Sequence, residues 1–131
     1  MVRIAVLLAE GFEEAEALVP ADLLRRAGGE VLLVSAYGEE LVTGAHGIAV
    51  KTDITLDRLD RTSVSCVLLP GGLKGTEHLY ESFAVRSLIQ YAAGEGIYIA
   101  AICAAPSILG KMGLLEGRRY ACYPGFEKEI P

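Results

Sequence analysis

Four short runs of aliphatic residues, at positions 2–8, 30–36, 66–69 and 97–102, punctuate this chain, with helical periodicity between the first and second and between the third and fourth. Such runs are apolar at nearly every position rather than at alternate ones, as suits strands covered on both faces of a parallel sheet. Strands alternating with helices predict a doubly wound α/β fold, in which ligands bind at the carboxyl ends of the strands. The first helix is expected over 13–27, closed by Gly28-Gly29 and with Arg25 and Arg26 near its C-terminal end, where cations are favoured. Pro20 falls inside it and is expected to kink it or leave its first turns irregular. Residues 41–43 and 48–52 read as short strands joined by a glycine-bounded turn at 44–47, and 55–60 as a turn or single helical turn. The third run stops at Pro70-Gly71-Gly72. A helix follows from Thr76 or Ser82 to Ala93, another from Ala104 to about Met112, and a further strand is expected over 119–123.

Composition narrows the function classes. The chain has 131 residues, 52% of them hydrophobic, which fits one domain with a folded core. Lysine and arginine total 12 against 17 acids, a formal charge of −5, and no basic block interrupts the pattern, so nucleic acid is not an expected partner. The apolar start is too short to span a membrane and carries no signal-peptide cleavage pattern, so a cytoplasmic protein with no membrane attachment is expected. Three widely spaced cysteines without a C-x-x-C pair argue against a disulfide framework and against zinc, and no metal is expected.

The strand-to-helix turn after the fourth run carries Cys103, flanked by Ala101 and Ala105 in the small-x-nucleophile-x-small spacing of a tight elbow. Pro106 suits a first helical turn, whose amides have no intrahelical acceptor to lose. A cysteine at a helix N-terminus meets free amides and the positive end of the helix dipole, so a depressed pKa is expected. The plainer reading is a buried, inert thiol that packs like a small hydrophobe.

If the sheet is parallel, the loop after the first strand, the Pro70-Gly71-Gly72 turn and the Cys103 elbow converge on one crevice. Glu10, Glu13, Glu14 and Glu16 are then all candidates for a carboxyl near the thiol, acting as a proton shuttle or hydrogen-bond donor. Each is equally an acid favoured near a helix N-terminus. Gly71 and Gly72 let backbone amides approach a reacting oxygen, or simply form a tight turn. His78 reads as solvent-facing, and His46 lies in a glycine turn where a role would need help from elsewhere in the fold or from a second subunit. Cys66 and Cys122 read as packing residues.

Taken together, the segments 9–16 and 20–28, Leu69-Pro-Gly-Gly72 and Ala100-Ala-Ile-Cys-Ala-Ala-Pro106 resemble the ThiJ/PfpI family, the DJ-one superfamily. The resemblance runs along essentially the whole chain and looks closest to the Parkinsonism-associated, thiazole-monophosphate-named branch. It implies a flavodoxin-like α/β sandwich in homodimers, with Cys103 as the reactive cysteine and Glu16 as the acid hydrogen-bonded to it. Gly71, Gly72 and Ala104 match positions whose amides line the pocket, and His46 falls roughly where a loop reaches a neighbouring subunit. Two departures bear on chemistry. Protease-like members place a histidine directly after the cysteine, where this chain has Ala104, and some members have a histidine before a proline, where this chain has Tyr123-Pro124. The family also continues through closing strands and a final helix, which implies a cut polypeptide, a companion fragment or a short variant that exposes apolar surface.

The resemblance implies three functions. The first is a cofactor-free glyoxalase or deglycase, in which the Cys103 thiolate adds to an α-oxoaldehyde such as methylglyoxal and Glu16 shuttles the proton. The second is a redox-sensing stress protein or chaperone acting through oxidation of Cys103. The third, a peptidase, is disfavoured by Ala104.

Overall fold

The computed structural model describes residues 2–131. Five parallel strands form the central sheet: β1 (Arg3–Leu8), β2 (Glu30–Ser35), β5 (Ile54–Thr55), β6 (Cys66–Leu69) and β7 (Tyr98–Ala101), in the order β5-β2-β1-β6-β7. An antiparallel hairpin, β3 (Leu41–Thr43) and β4 (Ala49–Lys51), stands apart from it. Four helices complete the fold: α1 (Glu14–Arg26), α2 (Leu73–Glu81), α3 (Phe83–Gly94) and α4 (Pro106–Lys111).

The continuous apolar runs do what their pattern implies. In β1, Ile4, Val6 and Leu8 pack into one cluster with Ala17 and Ala21 of α1 and with Val42 and Val50 of the hairpin. Ala5 and Leu7, one residue out of phase, pack into a second cluster with Leu79, Val85, Leu88, Ile89 and Ile108 from α2, α3 and α4. The two-residue period of a strand sends alternate side chains to opposite faces, so both must be apolar when both are covered. The chain winds from β1 to β2 on one side, then returns across β1 to β6 and β7 on the other. Crossovers of one hand running in opposite directions place α1 on one face and α2 to α4 on the other.

Several expectations change. The first helix runs unbroken through Pro20, whose missing N–H leaves only the Glu16 carbonyl without its usual helical donor. The second expected helix is two, with the Ser82 start belonging to α3 and α2 preceding it: Ser82 leaves helical geometry, and its hydroxyl accepts the Val85 N–H at 3.1 Å, capping α3. Residues 56–58 form the single helical turn expected within 55–60, as a 3₁₀ turn, and the unexpected element there is a two-residue edge strand at 54–55. No strand forms over 119–123. Its side chains are largely exposed, so no burial drives pairing, and the Tyr123 N–H is instead given to the Cys103 carbonyl at 2.8 Å. The last sheet strand is also less buried than its composition suggests: Tyr98 is 80% and Ile102 beyond it 48% exposed. They lie on the face that α1 covers over β1 and β2 but not over β7.

Candidate active site

The sheet order reverses between β1 and β6, so the crevice at their carboxyl ends is the switch point where open α/β sheets bind ligands. The loops leaving these strands interlock there. The Glu13 N–H donates to the Gly71 carbonyl at 3.0 Å. Gly72, at φ 92°, lies so close to the first loop that a Cβ on it would stand 2.5 Å from the Gly11 carbonyl oxygen.

Cys103 lies two residues past β7 at φ 63°, the one positive φ among described non-glycine residues. Left-handed backbone costs an L-residue about 1–2 kcal/mol, so the turn must be held by its surroundings. Three bonds hold it. The Ala105 N–H donates to the Ile102 carbonyl at 3.0 Å and the Tyr123 N–H to the Cys103 carbonyl at 2.8 Å. The buried Ser107 hydroxyl donates to the Ala104 carbonyl at 2.6 Å. In the sequence Ser107 follows the elbow with no evident partner, and the structure supplies one in the Ala104 carbonyl. A serine three residues past a turn can bond back to it, and that spacing was the available signal.

Glu16, on the first turn of α1, accepts the Gly71 N–H at 2.9 Å through Oε1. Gly71 is the spacer that lets acid and thiol meet, because a Cβ there would lie 2.5 Å from Glu16 Oε1 and 2.8 Å from Cys103 Cβ. Its amide is therefore engaged by Glu16. The sulfur instead feels the N–H groups of Ala104 and Gly72 together with the Glu16 carboxyl.

The balance at the thiol is opposite to the depressed pKa expected. Burial pushes the Cys103 pKa up, the Glu16 charge and its hydrogen bond push the same way, and the Ala104 and Gly72 amides pull down without prevailing. Burial of the sulfur is the largest cause, and the charged group acting on it is an acid, which adds to the rise.

The other acids serve the hairpin. Glu14 is buried, and its Oε2 accepts the N–H groups of His46 at 2.8 Å and Ile48 at 3.2 Å, while Oε1 meets His46 Nδ1 at 3.0 Å. Burial would raise its carboxyl, but the His46 ring and the surrounding amides outweigh it and hold the pKa at about 2. His46 is exposed, and its pKa is raised by the hydrogen bond to Glu14 and by the charges of Glu13 and Glu14. Among the described residues, Glu13, Glu14 and His46 bring ligand-type atoms within 4.8 Å of one another. Both Glu14 oxygens are already taken by hairpin contacts, so the cluster reads as a tether. Glu10 accepts the Thr43 N–H at 3.1 Å. His78 is not simply solvent-facing: it is half-buried, with Nδ1 on the Glu10 carbonyl at 2.7 Å. Cys66 and Cys122 are free and half-buried, and burial raises the Cys66 pKa. No described helix is long and apolar enough to cross a membrane.

Residues 2–131 match the DJ-1/PfpI family. Protein dj-1beta of Drosophila melanogaster is 37% identical over 125 residues, which span 95% of this chain and 67% of that protein. A Pyrococcus horikoshii protein named a deglycase is 32% identical over 98% of this chain and 76% of its own length. The solved structure of Toxoplasma gondii DJ-1 in an oxidized form superposes with a TM-score of 0.95 at 36% identity, covering all of this chain and 72% of that one.

Proposed function

This chain belongs to the DJ-1/PfpI family, whose members similar to it include named deglycases, and we propose that it is a cysteine-dependent glyoxalase or deglycase acting on α-oxoaldehydes or early glycated amines. The observation that carries the reading is the strained Cys103 elbow, with the Glu16 carboxyl and the Gly72 and Ala104 amides all acting on one sulfur.

Cys103 Sγ forms a bond to the aldehyde carbon as its proton passes to Glu16 and on to the aldehyde oxygen, giving a hemithioacetal. Glu16 then takes the proton from that carbon, and the resulting enediol is reprotonated at the neighbouring carbon, leaving a thioester of the hydroxy acid. Water attacks the thioester, the C–S bond breaks and the proton returns to sulfur, so the sum is oxoaldehyde plus water to hydroxy acid. The two amides stabilise negative charge on sulfur during attack and release. The raised thiol pKa fits a nucleophile activated by its partner acid rather than a resting thiolate. A homodimer that brings His46 toward a second subunit's pocket belongs to the same reading.

A second reading, redox sensing, is favoured by the partial exposure of Cys103 beside an acid able to hydrogen-bond an oxidised sulfur. Cys103→Ser separates the two. Conversion of methylglyoxal to lactate is expected to vanish in that variant with the fold intact, and undiminished turnover would refute the enzymatic proposal. Peroxide oxidation of the parent confined to Cys103, with no turnover, would support the sensor.

A further inference from the structure

A second cavity, of about 320 Å³, opens at the carboxyl ends of β1 and β2. It shares no residue with the cluster of Cys103, Glu16 and Gly72. Its walls are apolar: Leu8 from β1, Val42 from the hairpin and the ring of Tyr37. Its acids outnumber its one basic group, His78, whose Nδ1 is on the Glu10 carbonyl at 2.7 Å. Glu10, Glu39 and Glu81 line it, and among the described residues none of their carboxylates has a lysine, arginine or histidine nitrogen within ion-pair distance. Unpaired acids are common on an open surface. Here they surround an apolar hollow, and the charge of Glu81 reaches the Tyr37 hydroxyl, whose pKa is raised first by burial and then by that carboxylate.

An independent observation comes from Ser35. This last residue of β2 is wholly buried and lines the cavity, yet its hydroxyl has no hydrogen-bond partner. Strand alternation puts it on the side of Val31 and Leu33, the side where Leu8 and Val42 pack. Buried polar groups are nearly always partnered, so an orphan hydroxyl lining a cavity points to a partner that enters it.

We propose that this cavity binds a small organic ammonium ion, with its apolar body against Leu8, Val42 and the Tyr37 ring, its charge among Glu10, Glu39 and Glu81, and an N–H donated to Ser35 Oγ. A cavity of about 320 Å³ lies at the small end of the range of about 300–1,000 Å³ usual for ligand pockets, which suits a small ligand. The aromatic face of Tyr37 adds attraction for a cation that a neutral ligand of the same shape does not feel.

Phenethylammonium and its neutral counterpart 2-phenylethanol, nearly equal in size, make the test. Each is titrated into the ¹⁵N-labelled protein at low ionic strength and mildly alkaline pH, where ordinary histidines are neutral. Saturable shifts at the amides of Ser35, Tyr37 and Val42 are expected for the amine, with the alcohol about tenfold weaker or worse. The double variant Glu39→Gln/Glu81→Gln is expected to weaken the amine by roughly tenfold, the effect of two partly exposed charge contacts together. Ser35→Ala is expected to weaken it several-fold without lowering the melting temperature, since it removes a hydroxyl that lacks a partner in the free protein. The proposal is overturned if the amine does not saturate, if the alcohol binds equally well, or if the double variant binds as the parent does. A Ser35→Ala protein that melts earlier yet binds unchanged would overturn the part assigned to the hydroxyl.

Discussion

Replacing Gly71 by alanine adds one methyl group where the structure has no room for it. The new Cβ would stand 2.5 Å from Glu16 Oε1, 2.8 Å from Cys103 Cβ and 3.0 Å from the Ile102 carbonyl oxygen. The carboxyl can swing aside, but only by giving up the 2.9 Å bond from the Gly71 N–H, a loss of about 1.5–3 kcal/mol for a bond to a charged group. The other two neighbours, the Cys103 Cβ and the Ile102 carbonyl, are placed by the elbow backbone and cannot move independently of it, and overpacking of that kind costs about 1–3 kcal/mol. A net destabilisation of about 3 kcal/mol corresponds to a fall of roughly 10 °C in melting temperature for a domain of this size. Gly94, the last residue of α3, is the control, because a Cβ there meets nothing within 4 Å. Gly94→Ala is expected to stabilise by roughly 0.5–1 kcal/mol through helix propensity. Thermal melts followed by circular dichroism compare the two variants directly. Equal effects, or a Gly71→Ala protein as stable as the parent, would refute the claim that acid and thiol are packed around a bare α-carbon.

The strain at Cys103 is open to a similar comparison: Cys103→Gly should be more stable than Cys103→Ala by about 1 kcal/mol, because only glycine adopts φ 63° freely. Equal melting temperatures would remove the strain argument. The hairpin tether predicts a pH dependence of definite sign. Glu14 titrates at about 2 in the folded chain against an ordinary 4.5, so its contribution is complete above about 4.5 and is lost as pH falls through 2. Urea denaturation across that window should show a shallower dependence in Glu14→Gln, and an unchanged slope would dissociate the carboxylate from hairpin stability. His46 has the opposite sign: its raised pKa gives a contribution present below its ordinary 6.5 and lost as pH climbs through the folded value.

Most of the architecture was legible because a parallel sheet leaves a local imprint. The runs in β1 and β6 had to be apolar on both faces, and the glycines at 28–29 and 71–72 marked where chain direction changes. What escaped was decided by neighbours distant in sequence. Residues 119–123 have the composition of a strand, yet nothing is buried by pairing them. Ser82 was one of two possible starts for a single helix, yet it ends one helix and caps the next. At the site, residue type and spacing left four acids within seven positions alike, and only the family resemblance singled out Glu16. The fold assigns Glu10 and Glu14 to the hairpin and Glu16 to Gly71, according to which loop passes each carboxyl.

The amino-acid order by itself determined the alternation of strand and helix, the elbow that presents Cys103, and the family to which the chain is assigned, because periodicity, turn chemistry and short motifs act between near neighbours. Only the tertiary structure decided that Glu10 and Glu14 serve the hairpin, that Gly71 spends its amide on Glu16, and that the thiol pKa moves up rather than down. Those outcomes depend on burial and on charges brought together from residues 55 and 87 positions apart, as Glu16 is from Gly71 and from Cys103, and no local pattern encodes such distances.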